Sequence, residues 1–161
     1  MNNEDLDRAV RALEQGELPA WISEHARRYQ ETGGREGHMW DSSIVGSEGV
    51  KPCLLLTTRG RKSGRLYTHP LLYGVDGARY VIVASKGGSD QQPNWYYNLI
   101  DDPEVTVQVM SDVFPARAVR VDGAERARLW RIMVDIHPPY DEYQARTTRQ
   151  IPIFALERTN G

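Results

Sequence analysis

The sequence lacks most features of specialised protein classes. It has a single cysteine, Cys53, which excludes a disulfide within the chain and is typical of a reducing cytoplasm. No apolar run approaches the roughly 20 residues that a membrane-spanning helix needs. The first residues, MNNEDLDRAV, are polar and acidic, unlike a secretory signal. These absences, with the lack of repeats and low-complexity segments, predict a cytoplasmic globular protein.

An overall positive charge is missing too. The net charge is −2, although 26% of the residues are charged. This balance argues against disorder and against a general nucleic-acid binder, which is usually basic overall. A chain of 161 residues is most simply one domain with a substantial core. We therefore expect a single domain over residues 1–161 and a small-molecule partner rather than a nucleic acid.

Motifs of several common enzyme classes are also absent. The GxxxxGK[ST] and GxGxxG patterns of nucleotide-binding loops do not occur at the chain's glycine turns. The sequence contains no GxSxG turn, and no Ser-His-Asp order in it indicates a hydrolase. His25, His38 and His69 are scattered without the spacing of metal ligands, so no metal site is expected.

The periodicity of apolar residues predicts helices at the two ends of the chain and strands between them. Helical spacing covers 6–16 and 18–34, then a short segment after Pro93, 124–136 and 140–149. Strands are predicted at 53–58, 65–77, 78–85, 104–110, 112–123 and 151–158, with a hairpin turn at Asp76-Gly77 and an edge or bulge at Pro115. Residues 35–52 are irregular. This order favours an α+β protein, an antiparallel barrel or sheet with helices packed outside.

A cluster of positive charge stands out at TTRGRKSGR, residues 57–65. Its cations are Arg59, Arg61, Lys62 and Arg65. Four cations so close together repel one another, and a bound polyanion would remove that cost. Gly60 and Gly64 would let main-chain N–H groups approach such a ligand. A solvated turn between two strands explains the cluster equally well.

A second candidate site is ASKGGSDQQPNWYYNL, which starts at Ala84 and follows a predicted strand directly. Gly87-Gly88 would turn the chain, and Ser89 or Asp90 would cap the helix near Pro93. A strand, a glycine turn and a helix start form an anion site readily. The alternative is a tight structural turn in which core packing accounts for the aromatic residues 95–97.

A third candidate is HPPYDEYQ, in which Tyr140 and Tyr143 share a helical face. Both hydroxyls are neutral donors at pH 7 and can hydrogen-bond a carbonyl, quinone or nitro oxygen. A pair of half-buried core tyrosines is the favoured interpretation when these residues are taken alone.

Together, GRKSG, ASKGG and PxWYxNL in this order resemble the deazaflavin-dependent nitroreductase family, also called the deazaflavin-dependent quinone reductases of actinobacteria. The resemblance covers about two thirds of the chain, from Cys53 to IPIFALER. It implies a split β-barrel of the FMN-binding type over residues 50–161, with residues 1–34 as N-terminal helices. It also implies coenzyme F420, a deazaflavin with a phosphate and an oligoglutamate tail, which would neutralise the cations of residues 57–65.

The resemblance implies a set of cofactor-binding residues. Lys62 matches the lysine that binds the tail, and Tyr67 stands where close relatives carry an arginine. Ser85, Lys86 and Gly87 match the loop along the ring and its phosphate. The full expected set is Arg59, Arg61, Lys62, Ser63, Arg65, Ala84, Ser85, Lys86, Gly87, Trp95 and Asn98.

The resemblance also implies the chemistry. A deazaflavin moves hydride and avoids one-electron steps, so the acceptor would be a quinone, an activated enone or a nitroaromatic. Tyr140 and Tyr143 match substrate-pocket tyrosines, and His137 stands where the pocket has a third one. Ser85 is a further candidate donor to the acceptor. We expect these four residues to be catalytic.

Two other functions stay open at this point. An FMN-dependent oxidoreductase could use the same barrel, although FMN has no polyanionic tail. A protein that binds the deazaflavin without turnover is the alternative outside catalysis. The fold also favours a homodimer, by analogy alone. The aromatic face of Trp21 and Tyr29 either covers the barrel, which is the default, or touches a membrane surface peripherally.

Overall fold

The fold is organised around one eight-stranded antiparallel sheet. It is seen in a computed structural model that describes residues 20–42 and 48–160. The strands are β1 Met39–Asp41, β2 Val50–Arg59, β3 Leu66–Leu72, β4 Gly74–Asp76, β5 Arg79–Val83, β6 Glu104–Val109, β7 Asp112–Val121 and β8 Ile153–Arg158. Their order in the sheet is β1-β2-β6-β7-β8-β5-β4, and β3, which is outside this order, pairs with β2.

Four α-helices accompany the sheet within the described residues. They are α1 Ala20–Thr32, α2 Asn94–Asp101, α3 Gly123–Ile136 and α4 Pro139–Ala145. The helix predicted over 18–34 is confirmed, and it ends at two glycines with φ of +60° and +81°. The helix predicted over 6–16 lies outside the described residues, as does the side chain of Trp21. No helix of the described chain is long and apolar enough to cross a membrane.

The apolar residues of the central strands are buried on both faces of the sheet. In β5, Ile82 joins one core cluster with Leu54 and Phe154, whereas Val81 and Val83 join another beneath α3 and α4. Successive side chains of a strand point to opposite faces, so a strand covered on both sides needs a continuous apolar run. This double burial explains the sequences CLLL and YVIVA.

Helix α1 is fastened to the outer face of β2 through Tyr29, whose side chain is fully buried against Cys53 and Leu55. The Tyr29 hydroxyl donates to the Cys53 carbonyl over 2.9 Å and accepts from the Met110 N–H over 2.9 Å. Packing on the sheet therefore accounts for the tyrosine of the α1 face. Cys53 is a buried core residue, as predicted, and burial raises the pKa of its thiol to about 12.

The strand predicted over 65–77 is interrupted between β3 and β4. At Gly74 the backbone lies against α3, and a Cβ there would stand 2.7 Å from the Met133 sulfur. The predicted hairpin turn at Asp76-Gly77 is confirmed, since β4 and β5 pair across it. Asp76 also accepts from Arg79 over 2.7 Å and from Arg128 over 2.8 Å, which ties the hairpin to α3.

Two other expectations were wrong. Residues 35–52 are not wholly irregular, because β1 pairs with the start of β2. Pro115 is neither on an edge strand nor at a bulge, because β7 lies between β6 and β8 and Pro115 stands opposite Thr106. Its carbonyl accepts from the Thr159 N–H over 3.0 Å, just past the end of β8. The missing N–H of proline therefore faces a place where the ladder has already ended.

We expect Tyr29→Phe to lower the free energy of unfolding by about 1–3 kcal/mol, because it leaves the partly buried Met110 N–H without its acceptor and removes the donor to the buried Cys53 carbonyl. Urea unfolding measures this change. Tyr97→Phe is the matched control, since Tyr97 is 39% exposed and should stay within about 0.5 kcal/mol of the wild type. Equal stabilities for the two variants would contradict this role of Tyr29.

Candidate functional site

The first part of the site is the loop between β2 and β3, residues 60–65, which we call the basic loop. The Gly60 N–H donates to the Arg65 carbonyl over 2.7 Å, and the Gly64 N–H donates to the Gly60 carbonyl over 2.8 Å. A Cβ on Gly60 would stand 2.6 Å from the Tyr67 ring, and Gly64 has φ of +72°. The two glycines are therefore required by packing and by backbone conformation, and they give the loop a defined shape.

The cations of the basic loop have no acidic partners in the described chain. Arg61, Lys62 and Arg65 are exposed, and no carboxylate of residues 20–42 or 48–160 lies within ion-pair distance of them. Arg59, at the end of β2, is 3.9 Å from Asp102. The Arg61 guanidinium lies over the Tyr97 ring, 4.9 Å from its centroid. Three neighbouring cations without counter-charges create a local field that attracts an anion.

Asn98 fastens the basic loop to α2. Its amide oxygen accepts from the Arg61 N–H over 3.1 Å, and its amide nitrogen donates to the Thr58 hydroxyl over 3.1 Å. Asn98 is only 8% exposed, and Trp95 is 5% exposed with its ring against Phe154. Both residues thus support the site from beneath. Direct contact of Trp95 and Asn98 with a cofactor stays a prediction.

Tyr67, which by the family resemblance stands where relatives carry an arginine, braces the same loop. The Tyr67 and Ser63 hydroxyls lie 3.1 Å apart, and Ser63 also accepts from the Arg65 N–H over 3.1 Å. The Ser63 hydroxyl, expected to bind a cofactor, is thus used inside the loop.

The second part of the site is the glycine turn after β5, residues 85–88. Lys86, Gly87 and Gly88 have φ of +46°, +63° and +84°, so three successive residues adopt the left-handed region. A non-glycine residue there costs roughly 1 kcal/mol. The Gly88 N–H donates to the Ser85 carbonyl over 3.0 Å and closes the turn.

The predicted helix caps were wrong. Helix α2 begins after Pro93, and no side chain caps it. The Ser89 hydroxyl accepts from the Gln91 N–H over 3.2 Å, and the Asp90 carboxylate accepts from the Thr147 hydroxyl over 2.8 Å. Asp90 therefore links the glycine turn to the chain after α4 instead of capping α2.

The glycine turn and α4 are in backbone contact. A Cβ on Gly88 would stand 2.7 Å from the Tyr143 carbonyl oxygen and 2.8 Å from its Cα. Only glycine permits this approach. The structure therefore brings together the ASKGG turn and the helix that carries the two tyrosines, segments more than 50 residues apart in sequence.

The side chains of His137, Tyr140 and Tyr143 form one aromatic cluster. The His137 ring centroid lies 4.9 Å from that of Tyr140 and 5.9 Å from that of Tyr143. Tyr140 is 5% exposed and packs in the core beneath α3 and α4, whereas Tyr143 is half-buried. The His137 Nε2 atom is 3.5 Å from the Tyr143 hydroxyl, which is at the limit of a hydrogen bond.

Burial determines the protonation state of this cluster. It raises the pKa of both tyrosine hydroxyls, so they remain donors at neutral pH. It lowers the pKa of His137 to about 4, and the nearby Lys51 ammonium contributes in the same direction. The Nδ1 atom of His137 is buried and has no hydrogen-bond partner among residues 20–42 and 48–160. The imidazole is thus neutral at pH 7, which favours hydrogen bonding over proton delivery.

Arg149 belongs to the site but was not singled out from the sequence. It follows α4, and its guanidinium donates to the carbonyls of Ser85 over 2.7 Å, Ser89 over 2.8 Å and Ala84 over 3.2 Å. It also donates to the Gln92 amide oxygen over 2.8 Å. A lone arginine in a polar segment carries no sequence signal for this role.

Helix α2 connects the two parts of the site. The glycine turn leads into its start, and Asn98, one turn further on, holds the basic loop. At about 1.5 Å per residue, Asn98 lies roughly 6 Å along the axis from Asn94. The curled antiparallel sheet, with the basic loop and the aromatic cluster linked through α2 and the glycine turn, is the architecture of a split-barrel protein.

Comparison with known proteins gives the family. The model of the F420H(2)-dependent quinone reductase family matches residues 21–158, and the chain belongs to that family. An F420H(2)-dependent quinone reductase of Mycobacterium tuberculosis is 39% identical over 137 residues, which cover 83% of this chain and 87% of that protein.

Solved structures agree on the fold. An F420-H2 dependent reductase, FDR-A, superposes with a TM-score of 0.62 at 42% identity over 66% of this chain and 94% of that chain. A structure described as a domain-swapped dimer superposes with a TM-score of 0.64 at 37% identity over 85% of this chain and 97% of that chain. The predicted split barrel with external helices is confirmed.

We expect His137 to make folding stability fall at mildly acidic pH. Its pKa is about 4 when folded and about 6.5 when unfolded, so the unfolded chain gains a proton first as pH falls from 6.5 to 4. His137→Gln removes this linkage, so its free energy of unfolding should fall less over that interval. Urea unfolding at several pH values tests this.

His69 provides a second, parallel test of the same proton linkage. Burial also lowers its pKa to about 4, so His69→Gln should flatten the pH dependence similarly and the double variant should flatten it further. Other acidic and basic groups are common to all the proteins and cancel in the comparison. Parallel curves for the wild type and His137→Gln would contradict a buried neutral imidazole.

Proposed function

We propose that this protein is a reductase that uses reduced coenzyme F420 to convert an electron-poor acceptor, with a quinone as the leading acceptor. One observation carries the proposal: a loop whose three cations have no acidic partner among the described residues is held by α2, and α2 follows a glycine turn that is in backbone contact with a tyrosine-bearing helix. Activated enones and nitroaromatics share the acceptor chemistry, since they too are electron-poor and present an oxygen to a hydrogen-bond donor.

The basic loop would hold the glutamate tail. Arg61, Lys62 and Arg65 are exposed and have no ion pair within residues 20–42 and 48–160, so they can each bind a carboxylate without giving up an existing one. Arg59 contributes more weakly because Asp102 lies near it. The residues present therefore fit a polyanion better than they fit FMN, whose single phosphate would leave most of this charge uncompensated.

The glycine turn would hold the ring end of the coenzyme. No described residue accepts a hydrogen bond from the Ser85 or Gly87 N–H, so both groups are available to acceptor atoms of a ligand. Gly87 is exposed, and nothing lies within 4 Å of a Cβ placed on it. Ala84 and Lys86 complete the segment that the family resemblance assigns to this contact.

The side chains of the aromatic cluster would bind and polarise the acceptor. The reduced deazaflavin supplies a hydride when bound, and a quinone that takes up this hydride needs one proton to become the hydroquinone. The neutral hydroxyls of Tyr143 and Tyr140 would donate hydrogen bonds to the quinone oxygen and stabilise the negative charge that develops there. Tyr143, half-buried, is the more accessible donor, while Ser85 and the neutral His137 are further ones.

Assembly and location belong to the same proposal. The relative described as a domain-swapped dimer supports a homodimer for this chain. The aromatic ring of Tyr29 is buried between α1 and the sheet, so it gives no support to peripheral membrane contact. A quinone acceptor that resides in a membrane remains the reason to test for such contact.

Reversing the charge of the basic loop tests the tail site. We expect Lys62→Glu with Arg65→Glu to weaken F420 binding at least about tenfold at low salt, which corresponds to about 1.4 kcal/mol, because two attractions become repulsions. Calorimetry measures the affinity, and rising salt should narrow the difference. Arg131→Glu, an exposed reversal on α3, is the control and should bind as the wild type does. An unaltered affinity of the double variant would overturn the tail site.

Turnover tests the reaction. Purified protein should oxidise reduced F420 in the presence of menadione faster than the protein-free mixture, as followed by the coenzyme's visible absorbance. Tyr143→Phe should lower kcat about 10²-fold while F420 affinity persists, because one donor to the acceptor oxygen is lost. Tyr140→Phe should act in the same direction. Unchanged turnover in both variants would remove the tyrosines from the mechanism.

Two other experimental outcomes would change the functional assignment. Binding of F420 without turnover of any quinone, enone or nitroaromatic would favour a non-catalytic deazaflavin-binding protein. Yellow protein that retains FMN from expression would favour an FMN-dependent oxidoreductase on the same fold.

A further inference from the structure

One cation lies against the carbonyls of the glycine turn, and its hydrogen-bond partners among the described residues are all neutral. The Arg149 guanidinium donates to three main-chain carbonyls, of Ala84, Ser85 and Ser89, and to the side-chain amide of Gln92. Guanidinium has five N–H donors in a rigid planar fork, and four of them are used here. No other side chain could reach all four acceptors in this geometry.

These bonds determine which way the peptide groups of the turn face. In a planar trans peptide, the carbonyl and the N–H point in opposite directions. The Ala84 carbonyl points to Arg149, so the Ser85 N–H points away from it. The Ser85 carbonyl also points to Arg149, which turns the following N–H outward too. By donating to the carbonyls on one side, Arg149 turns the N–H groups of the same peptide planes toward the other.

The same residue is tied to the chain that leaves α4. The Arg149 carbonyl accepts from the Gln144 side-chain amide over 2.8 Å, and its N–H donates to the Thr147 hydroxyl over 3.3 Å. Thr147 in turn donates to Asp90 beyond the turn. Arg149 therefore joins the glycine turn to the helix of Tyr140 and Tyr143, in addition to the backbone contact at Gly88.

We propose that Arg149 is a positioning residue that holds the Ser85 N–H of the glycine turn at a fixed orientation toward the ring end of the coenzyme and at a fixed separation from the tyrosine helix. This inference rests on the proposed function. It predicts a role in ring binding that is separate from the role of the basic loop in tail binding.

The test compares two ligands that share the ring and the ribityl chain and differ in the charged tail. One is F420, and the other is the deazaflavin alcohol that carries the ring and ribityl chain without phosphate or glutamates. Arg149→Lys keeps the charge but loses the fork, so it should weaken both ligands by the same factor, about tenfold or more. Lys62→Glu should weaken only F420. Titration of coenzyme fluorescence measures both affinities.

A control separates positioning from general stability. Arg79→Lys alters another partly buried arginine, which binds Asp76 and lies at the start of β5, the end of that strand opposite the turn. Its melting temperature should fall by a comparable amount, while both ligands bind as they do to the wild type. For Arg149→Lys, kcat with menadione should also fall, because Ser85 and Tyr143 lose their relative placement.

A milder variant protects the test if Arg149→Lys does not fold. Gln92→Ala removes one of the four acceptors and should weaken both ligands in the same proportion, by a smaller factor. Wild-type affinity for both ligands in the folded Arg149→Lys or Gln92→Ala protein would overturn this inference alone. A wild type that binds neither ligand would overturn the proposed function and this inference with it.

Discussion

The site depends on a loop that keeps like charges together without acidic partners. Arg61, Lys62 and Arg65 repel one another, so charge alone would spread them apart. Their backbone is held instead by neutral hydrogen bonds, from Gly60 to Arg65 within the loop and from Arg61 to the buried amide of Asn98. Neutral partners hold the backbone of the loop in position and leave the charge of its cations in place. A salt bridge would hold the loop and also cancel that charge. For the anion proposed to bind there, the ordering cost of the loop would therefore be met by folding rather than by binding.

The same arrangement recurs at the other end of the site. Arg149 keeps its charge because its partners are carbonyl and amide oxygens, and these bonds orient the glycine turn. Helix α2 lies between the two arrangements, so the glycine turn and the basic loop are both positioned by one helix. A coenzyme with a planar head and a charged tail requires such a fixed spacing. The family to which the chain belongs is consistent with this requirement.

The regular elements could be predicted from the sequence because local patterns specify them. The Asp76-Gly77 turn, α1 and α3 follow from glycines and from helical spacing. The break at Gly74, the interior position of Pro115 and the contact of Gly88 with Tyr143 could not, because each depends on an element distant in sequence. The cations of the basic loop were visible as a cluster. Arg149 was not, since its partners are backbone atoms that have no residue identity.

The family resemblance implies two differences in this chain, at positions 67 and 137, and each of these side chains has a local role in the structure. Tyr67, which by that resemblance stands where relatives carry an arginine, braces the basic loop through the Ser63 hydroxyl. His137, which by the same resemblance stands where the substrate pocket has a third tyrosine, is kept neutral by burial, with a pKa of about 4. Its ring is in contact with both Tyr140 and Tyr143. In the proposed acceptor site, an imidazole smaller than a phenol would keep the neutral hydrogen-bonding character and change the shape, so it would bear on which acceptors fit rather than on how they are reduced.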